Sequence, residues 1–153
     1  MTPEIAEIYG NKVRLRVCGL CWDGDTLLLV KHQMGDNALW APPGGGVEFG
    51  ERAEDALKRE FDEETGLKVK VGKFLFGCEF VEKPLHAVEL FFEVQKWGGG
   101  LMRGYDPELQ LIETAQFLSW KEIRNIPERS LHGIFQKCAE LDDLRQMHGF
   151  YSI

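Results

Sequence analysis

The 153-residue chain carries 18 basic against 25 acidic residues, a formal charge of −7, which disfavours a broad electrostatic grip on nucleic acid or on an anionic membrane. Its length suits a single domain spanning 1–153, and 44% hydrophobic residues are enough to fill one core. No apolar run approaches the roughly 20 residues that span a bilayer, and the opening MTPEIAEIYG has neither the basic nor the apolar region of a signal peptide, so a cytoplasmic location is expected.

Residues 13–22 (VRLRVCGLCW) begin with Val13, Leu15 and Val17 alternating with Arg14, Arg16 and Cys18, the period of a strand with one wet face. Arg14 and Arg16, with Lys31 further on, are read as a solvated strand face with snorkelling stems in preference to phosphate contacts. Asp23, Gly24 and Asp25 turn the chain into TLLLV (26–30). That run is too short for a helix and predicts a strand covered on both faces near the sheet centre. The cysteines Cys18, Cys21, Cys78 and Cys138 are scattered as small core residues. Cys18 and Cys21 have CxxC spacing, but an odd offset puts them on opposite faces of a strand and no second pair completes a zinc set. After the polar stretch 31–37, Pro42 and Pro43 stop backbone donation and a glycine loop follows.

A helix is predicted over about 52–65, free of internal Gly and Pro, with Gly66 as its left-handed cap. Residues 67–81 read as one bent strand or two short ones, interrupted at Gly72 and Gly77, and 86–97 as another strand. Gly98 to Pro107 is a loop by composition. A strand around 115–118 runs into Ser119-Trp120-Lys121-Glu122, a capping-box pattern opening a short helix that stops before Pro127. From Ser130 to about Met147, the positions Leu131, Ile134, Phe135, Cys138, Leu141 and Leu144 predict an amphipathic helix. His32, His86, His132 and His148 show no ligand spacing and receive no role, and the aromatics are read as core before stacking platforms. Strands interspersed with helices give a mixed α/β class.

The informative contradiction lies in the helix at 52–65. At 100° per residue, Ala53, Ala56 and Leu57 share one face. The same stripe continues through positions 60, 63 and 64, all glutamates. Like charges at that spacing repel by roughly 0.2–0.5 kcal/mol per pair, and acids near a helix C-terminus oppose the macrodipole. A divalent cation resolves the conflict, since clustered carboxylates are what a hard ion such as Mg²⁺ requires. Glu54, Asp55 and Asp62 are read as the ordinary solvated acidic face. A Ca²⁺-binding helix is disfavoured, because the EF-hand loop is missing.

Gly45, five residues, Glu51, seven residues, then Arg59-Glu60-Phe61-Asp62-Glu63-Glu64-Thr65-Gly66-Leu67 resembles a complete Nudix box, with Pro43-Gly44 and Glu48 similar to its usual lead-in. The box covers only Gly45 to Leu67, and LLLVKH before it and FLSWKEI after it are similar to the family's usual surroundings. The resemblance implies an α/β/α sandwich with a mixed β-sheet between helices. It also implies hydrolysis of a nucleoside diphosphate linked to another moiety, at a pyrophosphate bond. By that match Glu60 and Glu64 would be principal Mg²⁺ (or Mn²⁺) ligands, Glu63 a further ligand directly or through water, and the Gly44 or Gly45 carbonyl another oxygen donor. Arg59 and Glu51 would form an orienting ion pair. The general base varies in the family, coming from the box or from a later glutamate. Glu113 and Glu108 are the candidates for the latter, each weighed against an ordinary exposed glutamate. The expected partner is a small-molecule nucleoside diphosphate derivative, with no membrane, with nucleic acid disfavoured and with a homodimer left open. The competing reading is a Nudix-fold nucleotide-binding or regulatory module without turnover, which would be free to lose the box glutamates.

Overall fold

The protein is described by a computed structural model covering residues 3–34, 36–101 and 112–153. A short helix α1 (Pro3–Tyr9) precedes β1 (Lys12–Asp23) and β2 (Thr26–Met34), which turn at the Asp23–Asp25 segment as the sequence predicts. β2 is covered on both faces, with Leu27 and Leu29 in one core cluster and Leu28 and Val30 in the other. It pairs with β3 (Asn37–Ala41) on one side and β7 (Ile112–Leu118) on the other. β1 runs parallel to β6 (Leu85–Gly99) over Lys12 to Cys21, and β6 pairs antiparallel with β5 (Leu67–Glu82). The register of that second pair shifts around Val71 to Phe76, as expected near Gly72. A three-residue strand β8 (Phe150–Ser152) closes the sheet edge on β5.

The result is a mixed sheet flanked by helices, the α/β/α arrangement expected. Helix α2 (Ala53–Thr65) packs Ala56, Leu57 and Phe61 against Val17, Cys21 and Leu28 on one face. The opposite face carries a second core, in which Phe76 and Phe91 stack at 4.6 Å beneath Ile123 of α3 (Trp120–Arg124). Cys18 and Cys21 fall in different clusters, on opposite faces. Gly66 ends α2 in the left-handed conformation (φ 78°), its N–H donating to the Asp62 carbonyl. The capping box at Ser119 and Glu122 is formed. Among the described residues, no helix is long and apolar enough to cross a membrane.

Two expectations are corrected. The amphipathic helix over 130–147 does not form; Glu128–Ser130, Gly133–Lys137 and Leu141–Arg145 are separate 3₁₀ turns. Most gaps between the apolar residues are three, which suits 3.0 residues per turn as well as 3.6. Side chains also capture backbone donors between the turns, with His132 Nδ1 accepting from Ile134 and Asp143 from Ala139 and Glu140. The second correction concerns the start of β1. There Val13 (64%) and Leu15 (46%) face outward, while Arg14 and Arg16 line an interior cavity. The glycine run also contributes a short strand of its own, β4 (Gly44–Gly46), paired with β1.

Candidate active site

The last two turns of α2 and the backbone of β4 form one wall of a cavity of about 680 Å³. Glu64 is 3% exposed, although it carries a carboxylate, and its Oε1 accepts the Gly44 N–H at 3.1 Å. His32 on β2 brings Nε2 to 3.6 Å from the other oxygen. Gly45 lies directly over Glu60: a Cβ there would overlap that carboxylate, coming within 2.7 Å of Oε2. Only glycine permits so close an approach of backbone to carboxylate. Glu54, Asp55 and Asp62 lie on the exposed face, where Glu54 pairs with Lys58 and Asp62 with Lys68.

Arg59 ties the wall together. Its Nε and Nη2 fork onto Glu51 at 2.9 Å each, Nη1 donates to Glu60 at 2.9 Å, and Nη2 also reaches the Gly46 carbonyl at 3.2 Å. Glu63 approaches the same guanidinium at 3.5 Å. The forked hydrogen bonds hold Glu51 below its ordinary value. Burial instead pushes Glu60 up to about 7 against the pull of Arg59, and the like charge of Glu63 adds to the rise. Glu60, Glu63 and Glu64 thus converge on one wall, and even with Arg59 against it Glu60 ionises less readily than an ordinary carboxylate.

The structure thus gathers Gly44, Gly45, Glu51, Arg59, Glu60, Glu63 and Glu64 into one constellation. Residue 113 lies on β7, but its side chain, and the whole of Glu108, fall outside the described residues. Sequence reasoning missed the cavity floor. Arg16, Glu89 and His132 meet there, with His132 Nε2 2.7 Å from Glu89 Oε1. Glu89 sits between Val88 and Leu90 in an alternating strand, where it reads as a solvent-facing residue, and His132 lies 43 positions away. No local signal joins them. Toward its far end the cavity is lined by Tyr9, Arg14, Phe80 and Leu85, with the Arg14 guanidinium 3.9 Å over the Tyr9 ring.

A family model described as the NUDIX domain matches residues 12–135. The chain belongs to the Nudix hydrolase family. Among Nudix relatives, an RNA pyrophosphohydrolase of Mesorhizobium japonicum is 29% identical over 126 residues, covering 72% of each chain. An ADP-ribose pyrophosphatase of Methanocaldococcus jannaschii is 31% identical over 115 residues, covering 73% of this chain and 63% of that one. The fold agrees with a NUDIX hydrolase from Nitrosomonas europaea (TM-score 0.72, 23% identity, 83% of this chain and 86% of that one). It agrees also with a UDP-X diphosphatase (TM-score 0.69, 23% identity, 93% and 68%).

Proposed function

We propose that this Nudix hydrolase is a Mg²⁺-dependent (or Mn²⁺-dependent) pyrophosphohydrolase that cuts a diphosphate bond in a small nucleoside diphosphate derivative. The carrying observation is the convergence of Glu60, Glu63 and Glu64 against the glycine backbone at one end of a cavity of nucleotide size. Three carboxylates are a hard-oxygen donor set that fits such an ion, and the Gly44 and Gly45 backbone lines the same wall. When bound, the ion would neutralise the diphosphate and lower the pKa of a water that attacks phosphorus. Arg59, locked on Glu51, orients Glu60, and the Gly44 N–H orients Glu64. Glu113 is kept as a base from outside the box. If Glu113→Gln retains most activity while Glu64→Gln is dead, Glu113 leaves the mechanism.

The relatives' names widen the substrate range to RNA, ADP-ribose and UDP derivatives. The charge of −7 favours a small diphosphate over a long polyanion. Four free cysteines agree with a reducing, cytoplasmic setting. The test is a panel of nucleoside di- and triphosphates, nucleotide sugars, ADP-ribose, dinucleoside polyphosphates, NADH and 5′-triphosphorylated RNA, assayed with Mg²⁺ for released phosphate or nucleoside monophosphate. Turnover of a member that Glu64→Gln abolishes supports the reading. Tight binding of one member with turnover of none overturns it in favour of a non-catalytic module.

A further inference from the structure

Strand register aligns Gly46, Arg16, Glu89 and Cys78 in one row across β4, β1, β6 and β5. Cys18, two residues along β1 from Arg16, shares that face. Glu89 is 4% exposed and surrounded by donors. His132 meets Oε1 at 2.7 Å and the Cys78 thiol meets it at 3.7 Å, while the Cys18 thiol meets Oε2 at 3.3 Å. Burial opposes its ionisation, but His132, Arg16 and Cys18 outweigh that cost and hold it well below the ordinary carboxylate range.

Cys78, Glu89 and His132 lie close enough together to suggest a metal site, but the hydrogen bonds speak against one. The Ile134 N–H donates to His132 Nδ1 at 3.0 Å, so the ring proton sits on Nε2 and is given to Glu89. A ligating His132 would have to lose that proton and become an anion. Burial also pushes the Cys18 and Cys78 thiols up, which keeps them protonated as donors. The cluster is a cage for a carboxylate, and the carboxylate is aimed at Arg16.

Arg16 Nη1 stands 3.7 Å from Glu89 Oε2, an ion pair too long to be a hydrogen bond. Its Nε is buried with no acceptor among the described residues. The guanidinium lines the same cavity as Glu60 and Glu64, and against the effect of burial Glu89 first, with smaller contributions from Glu64 and Glu60, holds its pKa up. Arg59 is spent on Glu51, Glu60 and Gly46, and Arg14 lies over Tyr9. Arg16 therefore combines fixed position, anchored charge and uncommitted donors beside the carboxylate wall. Planar guanidinium donors match phosphate oxygens.

We propose that Arg16 clamps a phosphate oxygen of the substrate's diphosphate, and that Glu89, buttressed by His132, is the positioning residue that aims it. This rests on the diphosphate-cleaving reading above. The test is calorimetric titration of the full chain with the non-hydrolysable diphosphate α,β-methylene-ADP at saturating Mg²⁺. Arg16→Gln should weaken binding by about 10- to 100-fold, the equivalent of one charge-assisted hydrogen bond, and should also lower the melting midpoint because Glu89 loses its charged partner, so binding is read well below that midpoint. Arg16→Lys should recover only part. Addition of α,β-methylene-ADP should also move the Arg16 Nε–H resonance downfield, which a structural arginine would not show. Glu89→Gln should weaken binding too, and the double variant should bind no worse than Arg16→Gln alone, because both changes remove the same clamp. If Glu89→Gln does not fold, His132→Asn, which keeps a cap for Ile134, takes its place in the cycle. Wild-type affinity in Arg16→Gln, or full additivity in the cycle, overturns the clamp. If those results accompany Mg²⁺-dependent binding that Glu64→Gln abolishes, the hydrolase reading stands without it. If the wild-type chain neither binds this probe nor cleaves any panel member, the hydrolase reading itself falls.

Discussion

The three consecutive glycines of β4 should separate folding, site chemistry and neither when each is changed to alanine. None has a positive φ, so the effect of each methyl is set by what it meets. At Gly44 the methyl meets the β1 backbone, overlapping the Val17 carbonyl and standing 2.8 Å from the Cys18 Cα. The ladder must part, an overpacking cost of about 1–3 kcal/mol, or a midpoint roughly 2–12 °C lower in a chain of this size. At Gly45 the methyl meets the Glu60 carboxylate, whose Oε2 would lie at 2.7 Å. The Glu60 Cδ and Oε1 would lie closer still, and an ordinary contact begins near 3.4 Å, so the carboxylate must retreat by about 1 Å, and misplacement of that size costs about 100-fold in rate. A side-chain end yields more easily than backbone, so the melting midpoint should fall less than for Gly44→Ala. At Gly46 the nearest atom is Arg14 Nη2 at 3.8 Å, and stability should stay within about 0.5 kcal/mol of wild type. The assays are thermal unfolding, Mg²⁺ titration by calorimetry, and turnover on whichever panel member is cleaved. Full activity and unchanged Mg²⁺ affinity in Gly45→Ala would refute the assignment of Glu60 to the metal wall.

Arg59→Lys removes the fork onto Glu51 and cannot also reach Glu60 and the Gly46 carbonyl. It should lower kcat by about 10- to 100-fold, as loss of a residue that orients metal ligands does, and steady-state kinetics that match wild type would contradict this. Ser119→Ala deletes the acceptor for the Glu122 N–H at 3.2 Å. The expected loss is about 0.5–2 kcal/mol of stability, read by denaturant titration, with turnover unchanged. Cys18, Cys21 and Cys78 are buried and Cys138 is pushed up to about 11 by burial and then by Asp143. At pH 8 only about one Cys138 in a thousand would be thiolate, so native protein should resist a thiol-reactive dye while all four cysteines react in guanidinium. Rapid labelling of the native chain would show that these thiols are not packed as described.

Local sequence carried the helix of the box well, because its signals act within a few residues. Ala56 and Leu57 are buried, Gly66 caps, and Glu60 and Glu64 continue the inward stripe. The segment 130–147 was misread because an apolar gap of three residues does not distinguish a 3₁₀ turn from an α-helix, and side-chain captures by His132 and Asp143 decided it. Arg14 and Arg16 were misread because alternation says that two faces differ without saying which one a cavity will use.

By itself the sequence determined the family, the box and the inward-facing row of glutamates on its helix, since glycine conformation, helical period and carboxylate spacing are all local properties. Only the tertiary structure decided the cavity floor. Glu89 becomes a buried anion because parallel pairing of β1 with β6 sets Arg16 beside it and the 3₁₀ region folds His132 over it. The free energy that makes such a buried charge tolerable comes from partners far apart in the chain, and those partners exist only once the sheet has formed.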